Sequence, residues 1–103
     1  MILIGRKTIV EFAKDHSQCR SPLSAREKAI KQTDYQSFNE LKRTFPSVDY
    51  VSHRYTIFDI GGNKYRLITE IDYLANVISI KRIWTHAEYS MKKNEEAMKR
   101  GKL

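Results

Sequence analysis

Tyr55-Thr56-Ile57-Phe58-Asp59-Ile60-Gly61-Gly62-Asn63-Lys64-Tyr65-Arg66-Leu67-Ile68-Thr69-Glu70-Ile71 is the stretch whose reading decides the fold. Its two arms are rich in β-branched and aromatic side chains, which pack well on a pleated surface. Between the arms, Gly61-Gly62-Asn63 offers residues that tolerate positive φ, as a tight turn requires. The arms therefore read as antiparallel strands over 55–60 and 65–71. Asp72 to Asn76 makes a second connection, and Val77 to Trp84 reads as a third strand of the same meander.

Outward from the hairpin the period becomes helical. Lys7 to Arg20 reads as a helix, with Ile9, Phe12, Ala13 and His16 on one stripe and a capping-box spacing at Thr8 and Glu11. Ser21-Pro22 starts a second helix, with serine at N-cap and proline at N1, running to about Gln32. Ser37 and Glu40 repeat the capping-box spacing before a short helix carrying Phe38, Leu41 and Phe45, which Pro46 stops. Thr85 and Glu88 repeat it once more and open a terminal helix ending near Gly101. Met1-Ile2-Leu3-Ile4 reads as a short buried strand, too short for a signal peptide or membrane span. The expected fold is α+β: a small, mostly antiparallel sheet packed by N-terminal helices, with a C-terminal helix, in one domain over residues 1–103.

Nineteen Lys and Arg stand against twelve Asp and Glu, a formal charge of +7. The pI of about 9.6 lies in the range of nucleic-acid binders, and such a balance draws polyanions by steering and counterion release. Cys19 is the one cysteine, so no internal disulfide and no Cys-rich metal site can form. A lone thiol fits a reducing cytoplasm. The histidines His16, His53 and His86 form no HExxH pair, and Gly61-Gly62 lies between two strands rather than before a phosphate-cradling helix. No cofactor is expected.

Asp59, Glu70 and Asp72 are spread over separate strands without a metal-binding helper motif, and no nucleophile elbow marks a Ser-His-Asp hydrolase. A chemistry these residue types allow is metal-free RNA cleavage by the adjacent 2′-hydroxyl. That reaction needs proton transfers, for which histidine is suited, and a cation for the charge gathering at phosphorus. The second half of the chain concentrates these types. Arg66 is on the central strand, and Lys81 and Arg82 are on the last one. His86 and Tyr89 are three apart at the start of the terminal helix, whose N-terminal N–H groups are expected to face a phosphate. Each residue also has a plain structural reading. His86 would fill a first helical turn, and Tyr89 would be a core residue with its hydroxyl at the surface. Arg66 would pair with Asp59 or Glu70. Lys92-Lys93 and Lys99-Arg100 would be a solvated helix face.

Phe45-Pro46-Ser47-Val48-Asp49, then Phe58-Asp59-Ile60-Gly61-Gly62-Asn63-Lys64-Tyr65-Arg66-Leu67, then Thr85-His86-Ala87-Glu88-Tyr89 closely resemble the HigB family of bacterial toxins. The resemblance extends over nearly the whole chain. It implies a RelE-like fold and a ribosome-dependent mRNA interferase, the toxin of a type II toxin–antitoxin pair, cutting mRNA without a metal. It implies as partners a helix-turn-helix antitoxin, mRNA and the ribosome, with operator DNA reached only through the antitoxin complex, no membrane, and a cytoplasmic location. By position, it assigns catalysis to His86, Arg66 and Tyr89. Together with the basic residues read from the sequence itself, Arg54, Asn63, Lys64, Lys81, Arg82, Lys92 and Lys93 are the expected RNA contacts. One departure stands out. Some RelE-like toxins carry lysines on the strand before the turn, where this chain has Thr56, Phe58 and Asp59. Arg54, His53 and His86 are the candidates to replace that base. The alternatives are a non-catalytic RNA- or ribosome-binding module, with Tyr55, Tyr65 and Tyr73 as stacking surfaces, and a protein that docks an acidic partner chain.

Overall fold

The arrangement follows from two-residue alternation along three long strands. A computed structural model describes every residue except Thr33 and Asn63. Its elements are β1 (Ile2–Ile4), α1 (Arg6–Asp15), a 3₁₀ turn (Ser17–Cys19), α2 (Arg20–Lys31), α3 (Phe38–Thr44), β2 (Asp49–Val51), β3 (Tyr55–Ile60), β4 (Tyr65–Asp72), β5 (Val77–Thr85), α4 (His86–Tyr89) and α5 (Lys92–Lys99). The strands form one sheet in the order β1-β5-β4-β3-β2. All pairs are antiparallel except β1 with β5, so the α+β reading holds.

Successive side chains of a strand point to opposite faces. One face of the sheet carries Phe58, Ile60, Leu67, Ile78, Ile80 and Ile83, which pack against Ile9, Ala13, Leu23, Ile30 and Leu41 of the N-terminal helices in the main core. The other face carries Tyr55, Ile57, Ile68 and Trp84, covered by Met98 with Val51, Tyr89 and Leu103 at its margin. A bulge keeps β5 in phase with this division. Ile68 pairs with Arg82 while Thr69 pairs with Ile80, so Lys81 is the extra residue. Without it, Ile80 and Ile83, three apart, would point to opposite faces.

Several boundaries differ from the sequence reading. Gly5 caps α1 at φ 93°, and a Cβ there would stand 2.9 Å from the Ile80 carbonyl oxygen. This tight turn against β5 starts the helix at Arg6, so Thr8 lies inside it and the expected Thr8–Glu11 box does not form. The helix stops at Asp15 rather than Arg20. The His16 ring stacks on Phe12 at 4.0 Å between centroids, and its Nδ1 lies 3.2 Å from the Phe12 carbonyl, which the His16 backbone N–H also uses. The second helix begins at Arg20 without a side-chain cap. Pro22 is its third residue, where a backbone N–H would have no helical partner in any case. Ser37 caps α3 as expected, accepting from the Glu40 N–H. The Glu40 carboxylate, however, reaches the N–H of Gln36.

The short edge strand β2 was not expected; its three residues pair with Ile57, Thr56 and Tyr55 of β3. The expected terminal helix is two helices. Met91 is extended (φ −67°, ψ 133°), and the Asn94 side chain donates to the Glu88 carbonyl at 2.7 Å across the break. The bend brings Met98 onto the second face of the sheet, which a straight continuation of α4 would not do.

Candidate active site

The residues singled out for chemistry lie mostly on the second face, at the end of the sheet where the hairpin turn meets α4. Asp59 and Arg66 are cross-strand partners in β3 and β4, and Arg66 faces Trp84 in β5. Arg66 is nearly buried, its side chain 11% exposed, and its Nε lies 3.2 Å from Asp59 Oδ1. Its guanidinium carbon is 5.4 Å from the centre of the Tyr89 ring, within cation–π range. Its Nη1 reaches the Tyr65 carbonyl at 3.4 Å. Of the two sequence readings of Arg66, pairing with Asp59 is the one the geometry displays.

Burial pushes the Tyr89 hydroxyl above its ordinary pKa. The nearby Asp49 carboxylate raises it further, and Arg66 opposes both. Tyr89 is therefore a phenol at neutral pH, a donor and a flat stacking surface rather than a base.

His86 is placed by the capping box. The Thr85 side chain accepts from the Glu88 N–H, and the Glu88 carboxylate accepts from the Thr85 N–H at 2.9 Å. The His86 N–H donates to the Lys64 carbonyl at 3.0 Å, which ties α4 to the hairpin turn. Arg66 pairs with Trp84, and His86 follows β5 two residues further on, as the first residue of α4. His86 is solvent-exposed, as is Lys64. One sequence expectation is corrected here. The N–H groups of His86 and Glu88 are already engaged by Lys64 and Thr85, so this single helical turn does not aim those amides at a phosphate.

The expected RNA-contact residues are distributed unevenly. Arg82 pairs with Ile68, which puts it on the second face two residues from Trp84, exposed, with its Nη1 on the Lys81 carbonyl at 2.7 Å. Lys81 is the half-buried bulge residue. Lys92 and Lys93 open α5 and are exposed. Asn63 lies outside the described residues. Arg54 is apart from the cluster. It precedes β3 at the opposite end from Asp59, about 16 Å along the strand. There its Nε is paired with Glu70 at 2.9 Å. His53 sits beside it in a left-handed turn (φ 54°), so neither is positioned to serve Arg66 as a base. His16 packs on Phe12 and Tyr65 within the main-core layer, which leaves His86 as the histidine that follows β5 beside the hairpin turn.

Sequence reasoning gave Trp84 no role, yet it is the buried cross-strand neighbour of Arg66 in β5. Its signal was a lone tryptophan directly before the Thr85–Glu88 capping box. The sheet tyrosines fare differently. Tyr55 and Tyr65 are buried and Tyr73 is half-buried against the main core, which removes them as a stacking surface. Cys19 is fully buried, and burial pushes its thiol pKa up, as for a packed and unreactive residue. Among the described residues, no three His, Cys, Asp or Glu side chains gather as metal ligands. No helix among them is long and apolar enough to cross a membrane.

Comparison with known proteins bears on what this face does. Residues 19–92 match the family model of the HigB toxin, the RelE-like toxic component of a toxin–antitoxin system. The mRNA interferase HigB of Escherichia coli O6:H1 (strain CFT073) is 30% identical over 91 residues, covering 86% of this chain and 88% of that protein. The mRNA interferase toxin HigB of Escherichia coli strain K12 is 29% identical over 92 residues, with the same coverage. An mRNA interferase HigB of Shigella flexneri matches equally.

Proposed function

We propose that this chain, which belongs to the HigB family of RelE-like toxins, is an mRNA endoribonuclease that acts on translating ribosomes without a metal ion. The single observation that carries the reading is the packing of the Arg66 guanidinium against the Tyr89 ring, at the sheet end where the His86 backbone N–H ties α4 to Lys64. These are the residue types that 2′-hydroxyl attack requires.

In this reading the 2′-oxygen forms a bond to phosphorus as the bond to the 5′-oxygen breaks. The 2′-hydroxyl proton leaves to a base and the 5′-oxygen takes one up from an acid, and His86 serves as one of these two, general acid or base. Arg66 neutralises the charge gathering on the phosphoryl oxygens, aided by Lys64 and Arg82. Tyr89 presents its ring to a base and its hydroxyl to the phosphate. Lys81, Lys92 and Lys93 hold flanking phosphates, and Asn63, next to Lys64 in the sequence, adds a further RNA contact. Arg54, at the far end of the sheet, would contact only a long substrate such as a ribosome-held strand. The partners are an antitoxin of the helix-turn-helix type, mRNA and the ribosome. Operator DNA is reached only within the antitoxin complex, and the location is cytoplasmic.

The test is controlled expression followed by mapping of mRNA ends. The expected result is growth arrest, with new ends confined to translated messages and carrying 5′-hydroxyl groups. A 5′-phosphate would point to activated water instead of the 2′-hydroxyl. Folded His86→Ala and Arg66→Ala chains are expected to lose cleavage. Intact transcripts and normal growth would defeat the reading.

The internal Asp59–Arg66 pair favours a second reading, a binding module in which Arg66 is structural. It expects salt-sensitive RNA or ribosome binding with no cleavage products.

A further inference from the structure

Beside Tyr89 lies a small pocket with no role in the reading above. It sits between β2, the end of α4 and α5, and has a volume of about 280 Å³. That is just below the roughly 300 to 1,000 Å³ of pockets that hold drug-sized ligands, a size suited to one nucleobase. The extended Met91 opens it. There α5 turns away from the line of α4 and brings Glu95, Met98 and Lys99, spaced as one helix face, to the same hollow as Tyr89.

The lining has an apolar part and a polar part. Val51, Met98 and the Tyr89 ring form the first, the kind of surface on which an unstacked base lies. Ser90, Glu95 and Lys99 form the second. Glu95 and Lys99 are paired at 2.9 Å with side chains 54% and 65% exposed, so the pair is weak and the carboxylate can still accept from a ligand.

The charge around this residue does not suit a phosphate. Besides burial, the Asp49, Asp59 and Glu95 carboxylates raise the Tyr89 hydroxyl pKa, against Arg66. A base is neutral and carries N–H groups, and an ionised carboxylate only accepts. Adenine, cytosine and guanine each offer it an exocyclic amino group. Uracil offers one N–H between two carbonyl oxygens, which the carboxylate repels.

We propose that this pocket takes the base flanking the scissile phosphate, and that Glu95 selects amino-bearing bases against uracil. The inference rests on the toxin reading above and adds a specificity determinant to it. Tyr89 is the link. Its ring lines the pocket and stands 5.4 Å from the Arg66 guanidinium, so a base seated there neighbours a phosphate at Arg66.

The test gives the full chain ribosomes translating messages with each of the four bases on either side of a cut site, and counts new ends. At one flanking position the unsubstituted chain is expected to cut beside amino-bearing bases at least about fivefold more often than beside uracil. Glu95→Gln keeps the shape and adds an N–H donor for a uracil carbonyl. It is expected to bring the ratio below about twofold while cutting beside the amino-bearing bases persists. Lys99→Met breaks the same ion pair but leaves the carboxylate, and is expected to keep the preference. Circular dichroism identifies folded variants. An unsubstituted chain indifferent to uracil, or a folded Glu95→Gln chain with its preference intact, overturns the proposal. Loss of preference in both variants overturns it too, by assigning the effect to the ion pair. A chain that never cleaves mRNA defeats the toxin reading alone. The methyl NMR shifts of Val51 and Met98 on titration with AMP, CMP, GMP and UMP then decide the pocket. Larger shifts with the three amino-bearing nucleotides support it, and equal or absent shifts overturn it.

Discussion

Asp59 and Arg66 stand opposite each other in the β3–β4 register and join through Nε and Oδ1 at 3.2 Å, on the same sheet face as the ring of Tyr89. The Asp59 backbone is held too, its carbonyl accepting from the Arg26 guanidinium at 3.3 Å. Arg26 lies over the Phe45 ring at 4.9 Å, so a residue of the helical layer fixes the strand position that orients Arg66. Removing the Asp59 carboxylate leaves a nearly buried cation less compensated. Asp59→Ala is expected to cost about 2 kcal/mol in denaturant unfolding, and Asp59→Asn about half of that, because the amide oxygen still accepts. If Arg66 acts on phosphate, cleavage by the folded alanine variant falls and asparagine restores most of it. Equal cleavage by both variants would make the pair structural only.

The capping box at Thr85 and Glu88 sets the position of His86. Thr85→Ala is expected to cost about 1 kcal/mol, the usual value of an N-cap side chain, and Thr85→Ser to cost little. Because α4 is one turn long, losing the cap frees the His86 backbone. The amide exchange rate at His86 should rise in the alanine variant while those of β4 stay unchanged.

Gly5 allows no substitute. Its φ of 93° and the 2.9 Å approach of a Cβ to the Ile80 carbonyl oxygen combine backbone strain with a collision against main chain that cannot swing aside. Gly5→Ala is expected to lose 2 kcal/mol or more, on the order of a core truncation, measured by urea midpoint. A loss under about 0.5 kcal/mol would mean that β1 and α1 adjust freely.

Tyr73 gives the chain a stability limit at high pH. Burial pushes its hydroxyl pKa up to about 12, and Thr56 approaches that hydroxyl without completing a hydrogen bond. The fold thus keeps the proton that the unfolded chain releases near pH 10. This contribution is fully present below about pH 10 and disappears as pH rises through 12, a loss of about 2 to 3 kcal/mol. Tyr73→Phe is expected to flatten that decline. At neutral pH it should gain about 1 kcal/mol by removing a buried hydroxyl without a partner. Thermal unfolding at pH 7, 10 and 11 measures both effects.

The strands of the hairpin and meander were legible because their signals are local. β-branched and aromatic residues, bounded by glycine, specify β3, β4 and β5 to within one residue. The Thr85–Glu88 box was legible for the same reason. The boundaries that went astray depended on distant partners. Gly5 starts α1 because β5 lies against it, and Met91 divides the last helix so that Met98 can reach the sheet. Strand β2 forms because β3 offers an edge.

By itself the sequence determined the charge, the hairpin, the helix–sheet order and the residue types available for chemistry, all of which follow from composition and short-range spacing. Only the tertiary structure decided which of those residues meet. Register and the bulge at Lys81 put Arg66, Trp84 and Arg82 on one face, while strand length carried Arg54 and His53 to the other end. A side chain's face depends on pairing between segments far apart in the chain, and no local pattern encodes that pairing.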